Sequence, residues 1–121
     1  MVSHESALEL HGLSDVIPNA IHLSLPRSAR GQRPRPGVRL HTLKEPPKKS
    51  ETCRIAGLPV TRPERTIIDA IATGTQPEQI QMAIRQVPER RLTTPRRLRT
   101  AARQASARAR KLIERTLEEA R

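Results

Sequence analysis

Ser3, His4 and Glu5 place a hydroxyl, an imidazole and a carboxylate side by side near the start of the chain. These are the residue types of a nucleophilic triad, but a working triad needs them to converge from separate segments beside an oxyanion hole. Ser3 is also a favourable N-cap for a helix that runs from His4 to His11 and stops at Gly12. Because capping explains Ser3 without catalysis, we predict no catalytic residue and no enzyme.

The four histidines and the single cysteine are the residues to consider for a metal site. His4 and His11 can share a helix face, whereas His22 and His41 alternate outward on predicted strands. The sequence has no Cys-x-x-Cys, no His-Glu-x-x-His and no other closely spaced ligand pair. We therefore predict no metal and no other cofactor, and we interpret Cys53 as a small core residue and not a nucleophile.

The densest polar block lies where a helix is predicted to follow a strand. It consists of Arg62, Glu64, Arg65 and Asp69. Arg65 and Asp69 are spaced i, i+4, so a local ion pair on one helix face is the simplest interpretation. We favour a structural role, in which Asp69 or Arg65 fixes the helix to the sheet, over contact with a partner.

Positive charge is concentrated in two parts of the 121-residue chain, whose formal net charge is +11. Residues 26–50 contribute +7 and residues 85–121 contribute +8. Such a field attracts polyanions, namely nucleic acid or an acidic protein face, although a charge run is often only a solvated surface. The arginines expected to contact a partner are Arg27, Arg30, Arg33, Arg35, Arg97, Arg99, Arg103, Arg108, Arg110 and Arg115.

The composition bounds the core and the location of the protein. The chain contains no Phe, Tyr or Trp, so its core must be aliphatic and thin. Without aromatic rings for base stacking, we do not expect specific binding of single strands. One cysteine argues against a disulfide-stapled secreted fold. We see no signal peptide and no membrane-spanning stretch, so the expected location is the cytoplasm, with no membrane partner.

Apolar and polar residues alternate strictly over residues 21–25, which predicts a half-buried strand. In this strand Ile21, Leu23 and Leu25 face the core, while His22 and Ser24 face outward. A second strand is expected near residues 38–41, and a hairpin is expected over residues 52–61. Basic loops occupy residues 26–37 and 44–50, and helices begin at Pro63 and Pro77.

The C-terminal segment has the pattern of one long amphipathic helix from about residue 95 to residue 120. Its apolar stripe contains Leu98 and Leu112 and is rich in alanine. Two basic flanks would border that stripe, one with Arg99, Arg103 and Arg110 and the other with Arg97, Arg108 and Arg115. We predict a single α+β domain over residues 1–121, with a small antiparallel or mixed sheet of about four strands and packed helices.

Four blocks of residues are similar to one known family. Residues 3–15, SHESALELHGLSD, resemble the SHxSALxLHGLxD opening of the effector domain of AbiEi antitoxins. IHLSLP at 21–26 resembles the strand that follows, and PGVRLH at 36–41 and GLPVTRPERTIID at 57–69 resemble the next two blocks. The motifs cover residues 2–90, and the C-terminal helix resembles the family in type and place only.

The resemblance implies an antitoxin-like regulatory protein of a bacterial type IV toxin–antitoxin or phage-defence system. In this family a winged helix–turn–helix binds the operator and a C-terminal part supports antitoxicity. The sequence starts at the effector part, so operator binding does not carry over. We expect contact with a nucleotidyltransferase-like toxin or its RNA target, and non-specific DNA or RNA binding. The alternative is a stand-alone basic nucleic-acid-binding module, or transcriptional regulator.

Overall fold

The structure is a computed structural model, which describes residues 1–15, 20–26, 36–43 and 47–119. The predicted α+β class is confirmed. The regular elements, in chain order, are α1 (His4–His11), β1 (Ile21–Pro26), β2 (Val38–Leu43), β3 (Thr52–Ile55), β4 (Leu58–Thr61), α2 (Pro63–Ala72), α3 (Pro77–Glu89), α4 (Pro95–Arg103) and α5 (Ala107–Glu119). A short 3-10 turn over Lys49–Glu51 leads into β3.

The strands form two two-stranded ladders that the first residues of the chain join together. β1 and β2 are parallel, and β3 and β4 are antiparallel. Val2 bridges Leu23 of β1 and Val60 of β4. On the β4 side, its N–H donates to Pro59 O at 2.9 Å and its carbonyl accepts from Thr61 N at 3.0 Å. On the other side, Ser24 N donates to the Met1 carbonyl at 2.8 Å. Met1–Ser3 therefore lies between β1 and β4 as a short central strand.

The apolar core is built by the helices. α2 contacts α1, α3 and α4, and α5 packs on α3 and α4. None of the residues of the buried apolar cluster in the described ranges lies on a strand, and all of them are aliphatic, as the composition requires. Its largest fully buried members are Leu8, Leu13, Ile67, Ile80, Ile84, Val87, Leu98 and Ile113.

The end of α1 follows the sequence prediction. Gly12 adopts φ +70°, the left-handed conformation that glycine tolerates best, and its N–H donates to Glu9 O. Leu13 N then donates to Leu8 O at 2.9 Å, which folds the buried Leu13 side chain back onto the helix. A side chain at position 12 would also meet the Arg90 guanidinium at 3.2 Å. The backbone conformation is therefore the reason for glycine, since the exposed Arg90 side chain could shift to make room.

The predicted orientation of β1 is wrong. His22 and Ser24 are the buried residues, at 3% and 5% exposed, whereas Ile21 is 56% exposed. α1 packs on the side of β1 that carries His22 and Ser24, because Ser3 and His4 offer hydrogen-bond partners and ring surface there. Alternation predicts that two faces differ, but it does not determine which face the helix covers.

The C-terminal segment is helical as predicted, but the prediction of one continuous helix is wrong. The chain turns at Gln104–Ser106, and a new helix starts where Ser106 Oγ accepts from Ala109 N at 3.2 Å. A straight helix of that length would extend about 39 Å. The turn instead packs α4 and α5 together, with Leu98, Ala102, Ala109 and Ile113 buried.

Candidate functional site

Three histidines from three different elements form a stack beneath α1. His4 begins α1, His22 lies in β1 and His41 lies in β2. The His4 and His41 rings are 3.7 Å apart between centroids and inclined by 13°, and the His22 and His41 centroids are 5.1 Å apart. His22 Nδ1 lies 2.9 Å from His41 Nε2, within hydrogen-bond distance. We call these three residues the histidine cluster.

Two buried serines extend the cluster. Ser24 Oγ donates to Ser3 Oγ at 2.6 Å, and Ser3 Oγ lies 2.6 Å from His4 Nδ1. Ser3 occupies the N-cap position of α1 but makes no side-chain cap hydrogen bond, so the predicted capping role does not explain its hydroxyl. His4 itself has φ +54°, in the left-handed region. A non-glycine residue held there costs about 1–2 kcal/mol, which the packing of its ring must offset.

Burial disfavours the charged form of all three rings. Burial, then the nearby His41, His22 and Arg65, lower the pKa of His4 to about 3. Burial also lowers the pKa of His41, with His22 and Arg39 acting in the same direction. Burial lowers the pKa of His22 although Glu5, whose carboxylate lies 3.6 Å from His22 Nε2, opposes the change.

The histidine cluster does not have the geometry of a metal centre. Its rings lie face to face, so their nitrogen lone pairs do not point to one common position. Within the parts of the chain that the structure describes, no group of three His, Cys, Asp or Glu residues is arranged to hold a metal ion. Burial raises the pKa of the half-buried Cys53 thiol in β3, which disfavours the reactive thiolate.

Sequence reasoning missed this cluster because it assigned His22 and His41 to the solvent side. His41 is half-buried and pairs in register with Ser24, so both side chains lie on the face that α1 covers. The parallel register cannot be read from two strands separated by a loop. The sequence offered one signal: His22 and Ser24 occupy every second position just as regularly as the apolar residues do, so either set could have formed the covered face.

The predicted polar block forms a link between α2 and the start of β3. Arg65 Nε donates to Asp69 Oδ1 at 2.9 Å, which is the i, i+4 pair that the spacing indicates. The same guanidinium reaches Glu51 at 3.4 Å. Burial raises the pKa of Asp69 although Arg65 opposes it, and Asp69 Oδ2 is buried without a hydrogen-bond partner. Arg65, and not Asp69, thus makes the contact that crosses between elements.

The other two members of the block have different neighbours. Arg62 Nε lies 3.7 Å from Glu64 Oε2. Glu64 Oε1 also accepts a short hydrogen bond from Thr93 Oγ1, which ties α2 to the turn between α3 and α4. His11 Nε2 donates to Thr61 O at 2.8 Å, so the end of α1 is fixed to β4 beside this block.

The arginines of α4 and α5 lie on the surface. Arg97, Arg103, Arg108, Arg110 and Arg115 are exposed, and Arg99 is partly buried. Among the described residues, Arg115 is the member of this set that makes an ion pair, at 3.3 Å to Glu119. The two predicted flanks assumed one helix, so the turn at Gln104–Ser106 removes their common helical register. Arg27, Arg30, Arg33 and Arg35 lie outside the described residues, as do residues 44–46 of the second basic loop.

Comparison with known families identifies the domain. The family model of the AbiEi antitoxin C-terminal domain matches residues 1–119. The chain belongs to the AbiEi antitoxin family. No curated protein matches the chain. The AbiEi assignment gives the domain an antitoxin role in a toxin–antitoxin or abortive-infection system.

The AbiEi match reaches the end of α5, further than the motifs in the sequence alone. In this AbiEi domain the resembling blocks become α1, β1, β2 and the β4–α2 junction. Each clustered histidine lies in one of the first three blocks, so the residues that carry the AbiEi resemblance also meet in space. No helix in the described ranges is long and apolar enough to cross a membrane.

Proposed function

We propose that the domain counteracts a nucleotidyltransferase-like toxin through macromolecular contact and not by catalysis, in the cytoplasm. The observation that carries this proposal is the row of exposed cationic side chains on α4 and α5. Arg108, Lys111 and Arg115 follow one another at i, i+3 and i+7 along the exposed side of α5, away from the buried Ala109 and Ile113.

The charge order along α5 supports an anionic partner. The first turn of α5 has no acidic residue and its last turn has no basic one. A helix dipole favours the opposite order by about 0.3–1 kcal/mol per charge. Arg108 and Arg110 lie near the positive end of the dipole, whereas Glu118 and Glu119 lie near its negative end. Bound phosphates at the start of α5 would offset that unfavourable arrangement.

The surface composition favours RNA over an acidic protein face as that partner. Stable protein interfaces contain an apolar or aromatic centre around which binding energy concentrates. The exposed large hydrophobic residues of the described chain are Leu10, Ile21 and Leu58, and none of them lies on α4 or α5. The surface has no aromatic side chains on which bases could stack, so we propose that it binds the phosphate backbone of structured RNA on which the toxin acts.

The buried position of Ser3 and His4 supports a role without catalysis. Ser3 is 0% exposed and His4 is 2% exposed, and the Ser3 hydroxyl already forms hydrogen bonds with Ser24 and His4. A nucleophile needs access to its substrate and a neighbouring oxyanion site. We therefore assign these residues to the architecture of the domain.

The alternative function is a stand-alone nucleic-acid-binding module that uses the same surface. The lack of exposed large hydrophobic residues on α4 and α5 favours this module as well. Growth rescue separates the two functions, because only an antitoxin relieves cells that express a nucleotidyltransferase-like toxin. We expect the unmodified chain to restore growth and the triple variant Arg108→Gln, Lys111→Gln, Arg115→Gln to fail. The control is Lys48→Gln, Lys49→Gln, Arg54→Gln, which removes equal charge at exposed positions outside α4 and α5.

Equal rescue by both triple variants would contradict the proposed contact surface. Failure of the unmodified chain to rescue, together with retained RNA or DNA binding, would favour the alternative module. Circular dichroism of each variant checks that the helices are intact, because all six substituted side chains are exposed and their loss should leave the fold unchanged.

A further inference from the structure

The histidine cluster lies outside the proposed contact surface and suggests a separate property. It sits where four pieces of the chain meet, namely α1, β1, β2 and the Met1–Ser3 strand. The strained φ of His4 indicates that the surroundings hold this ring in place at a cost. The buried apolar cluster formed by α2–α5 and part of α1 contains no histidine.

The hydrogen bonds on one side of the cluster favour a neutral His4. Ser24 Oγ donates to Ser3 Oγ, so the Ser3 hydroxyl is left to donate to His4 Nδ1. That assignment makes His4 Nδ1 an acceptor and places the ring proton on Nε2. A proton added at Nδ1 would make the ring a second donor to the Ser3 oxygen, and the Ser3 O–H would lose the acceptor that the neutral ring provides.

On the other side of the cluster, the hydrogen bonds of His22 and His41 can accommodate one added proton. With both rings neutral, His41 Nε2 donates to His22 Nδ1, and His22 Nε2–H faces the Glu5 carboxylate at 3.6 Å. His22 Nε2 is otherwise buried without a hydrogen-bond partner. A first proton can be shared between His22 and His41 beside Glu5. A second would place like charges on rings whose centroids are 3.7–6.3 Å apart.

The charged groups around the cluster do not relieve a second proton. Glu5 of α1 is the acidic neighbour, and it also lines an open surface cleft. Arg39 of β2 and Arg65 of α2 act on the rings with the opposite sign. The Met1 ammonium adds another positive charge nearby, since it donates to Ser24 O at 3.3 Å.

We propose that the histidine cluster is a proton-operated latch, which holds α1 and Met1–Ser3 against β1 and β2 while its rings are neutral and releases them when it takes up more than one proton. The apolar core, which α1 shares with α2–α5, has no such group, so it stays folded when β1 and β2 separate from α1 and Met1–Ser3. This proposal does not depend on the contact surface on α5, and either one can be wrong without affecting the other.

The direction of the pH effect follows from linkage. The folded state holds its histidine protons less tightly than the unfolded chain, because the pKa values of His4, His22 and His41 are all lowered. Stability at the latch is complete above about pH 6.5 and falls as the pH drops below that value. A pKa of about 3 for His4 predicts, from this residue alone, a loss of about 30-fold in the closing equilibrium at about pH 5.

Amide hydrogen exchange on the intact chain tests the latch directly. Ser3 N and Ser24 N report on it, since they pair the Met1–Ser3 strand with β1, and Ile84 N in α3 reports on the helical core. We expect the protection factors of Ser3 and Ser24 to fall by about 30-fold between about pH 7.5 and about pH 5, while that of Ile84 stays unchanged. An equal fall at all three amides would show global unfolding and overturn the latch.

A pair of matched variants on α1 provides the second measurement. Glu5→Gln removes the acidic neighbour of His22, so the latch should open at a higher pH than in the unmodified chain. Glu9→Gln makes the same charge change at an exposed position of the same helix and should leave the opening pH unchanged. If both variants opened at one pH, the proposal would be wrong, because the charge next to the rings would not matter.

Discussion

His4 and His41 stack at 3.7 Å although one ring starts a helix and the other lies on an outer strand of the β1–β2 ladder. The stack depends on a backbone conformation at His4 that most residues avoid, at φ +54°. The ring therefore gains more from its neighbours than the backbone loses. This balance determines how substitutions at position 4 should behave.

Glycine at position 4 should be tolerated better than alanine, contrary to the usual helix order. Glycine in a helix is normally about 0.5–1 kcal/mol worse than alanine. At φ +54° the order reverses, because alanine meets the left-handed penalty and glycine does not. We expect the free energy of unfolding of His4→Gly to exceed that of His4→Ala by about 0.5–1 kcal/mol, so that His4→Gly has the higher urea midpoint. A higher midpoint for the alanine variant would show that the left-handed conformation is not retained.

Asp69 and Arg65 should respond very differently to substitution although they form one ion pair. Burial raises the folded-state pKa of Asp69 above its unfolded value, so its contribution is complete at acidic pH and is lost as pH rises through the folded pKa. Asp69→Asn therefore removes a penalty at neutral pH and should leave the free energy of unfolding unchanged or higher. Arg65→Met leaves a buried carboxylate near Glu51 and should cost about 3–5 kcal/mol.

Urea unfolding of both variants at neutral and acidic pH checks this asymmetry. The cost of Arg65→Met should shrink as the pH falls through the raised pKa of Asp69, because the protonated carboxyl no longer needs the guanidinium. Arg65→Lys is the conservative control, since it keeps the charge but loses the fork that reaches two carboxylates. Equal losses for Asp69→Asn and Arg65→Met at neutral pH would contradict the assignment of the pair.

The turn between α4 and α5 makes two leucines of the predicted stripe unequal. Leu98 is fully buried, whereas Leu112 is only partly buried at the edge of the apolar cluster. Leu98→Asp should cost about 3 kcal/mol or more and unfold a marginally stable domain, and Leu112→Asp should cost about 1 kcal/mol. Thermal melts followed by circular dichroism give the comparison. Equal destabilisation would be the result expected of one continuous docked helix.

The accuracy of sequence reasoning differed between local and non-local features. Gly12 as a helix stop, the hairpin over 52–61 and the helix starts at Pro63 and Pro77 are set by neighbouring residues, and all were predicted. The histidine cluster was missed because it needs the parallel register of β1 on β2 and the choice of covered face. Likewise, the serine at 106 is a good N-cap, but its position inside an apolar periodicity concealed the turn.

The basic surface of α5 should reveal itself most clearly through salt. Each phosphate contact made by a cation releases counterions, so the slope of log affinity against log salt falls by about 0.7–0.9 for every contact removed. Replacing Arg108, Lys111 and Arg115 with Gln should therefore lower the slope for structured RNA by about 2–3 and weaken binding to unrelated sequences to the same extent.

The matched variant at Lys48, Lys49 and Arg54 removes the same net charge from outside α4 and α5. If binding depended only on the net charge of the chain, the two variants would show one slope; if α5 makes the contacts, only the α5 variant loses them. Fluorescence anisotropy with a structured RNA at several salt concentrations measures both slopes, and an acidic peptide in place of the RNA tests the protein partner that the surface disfavours.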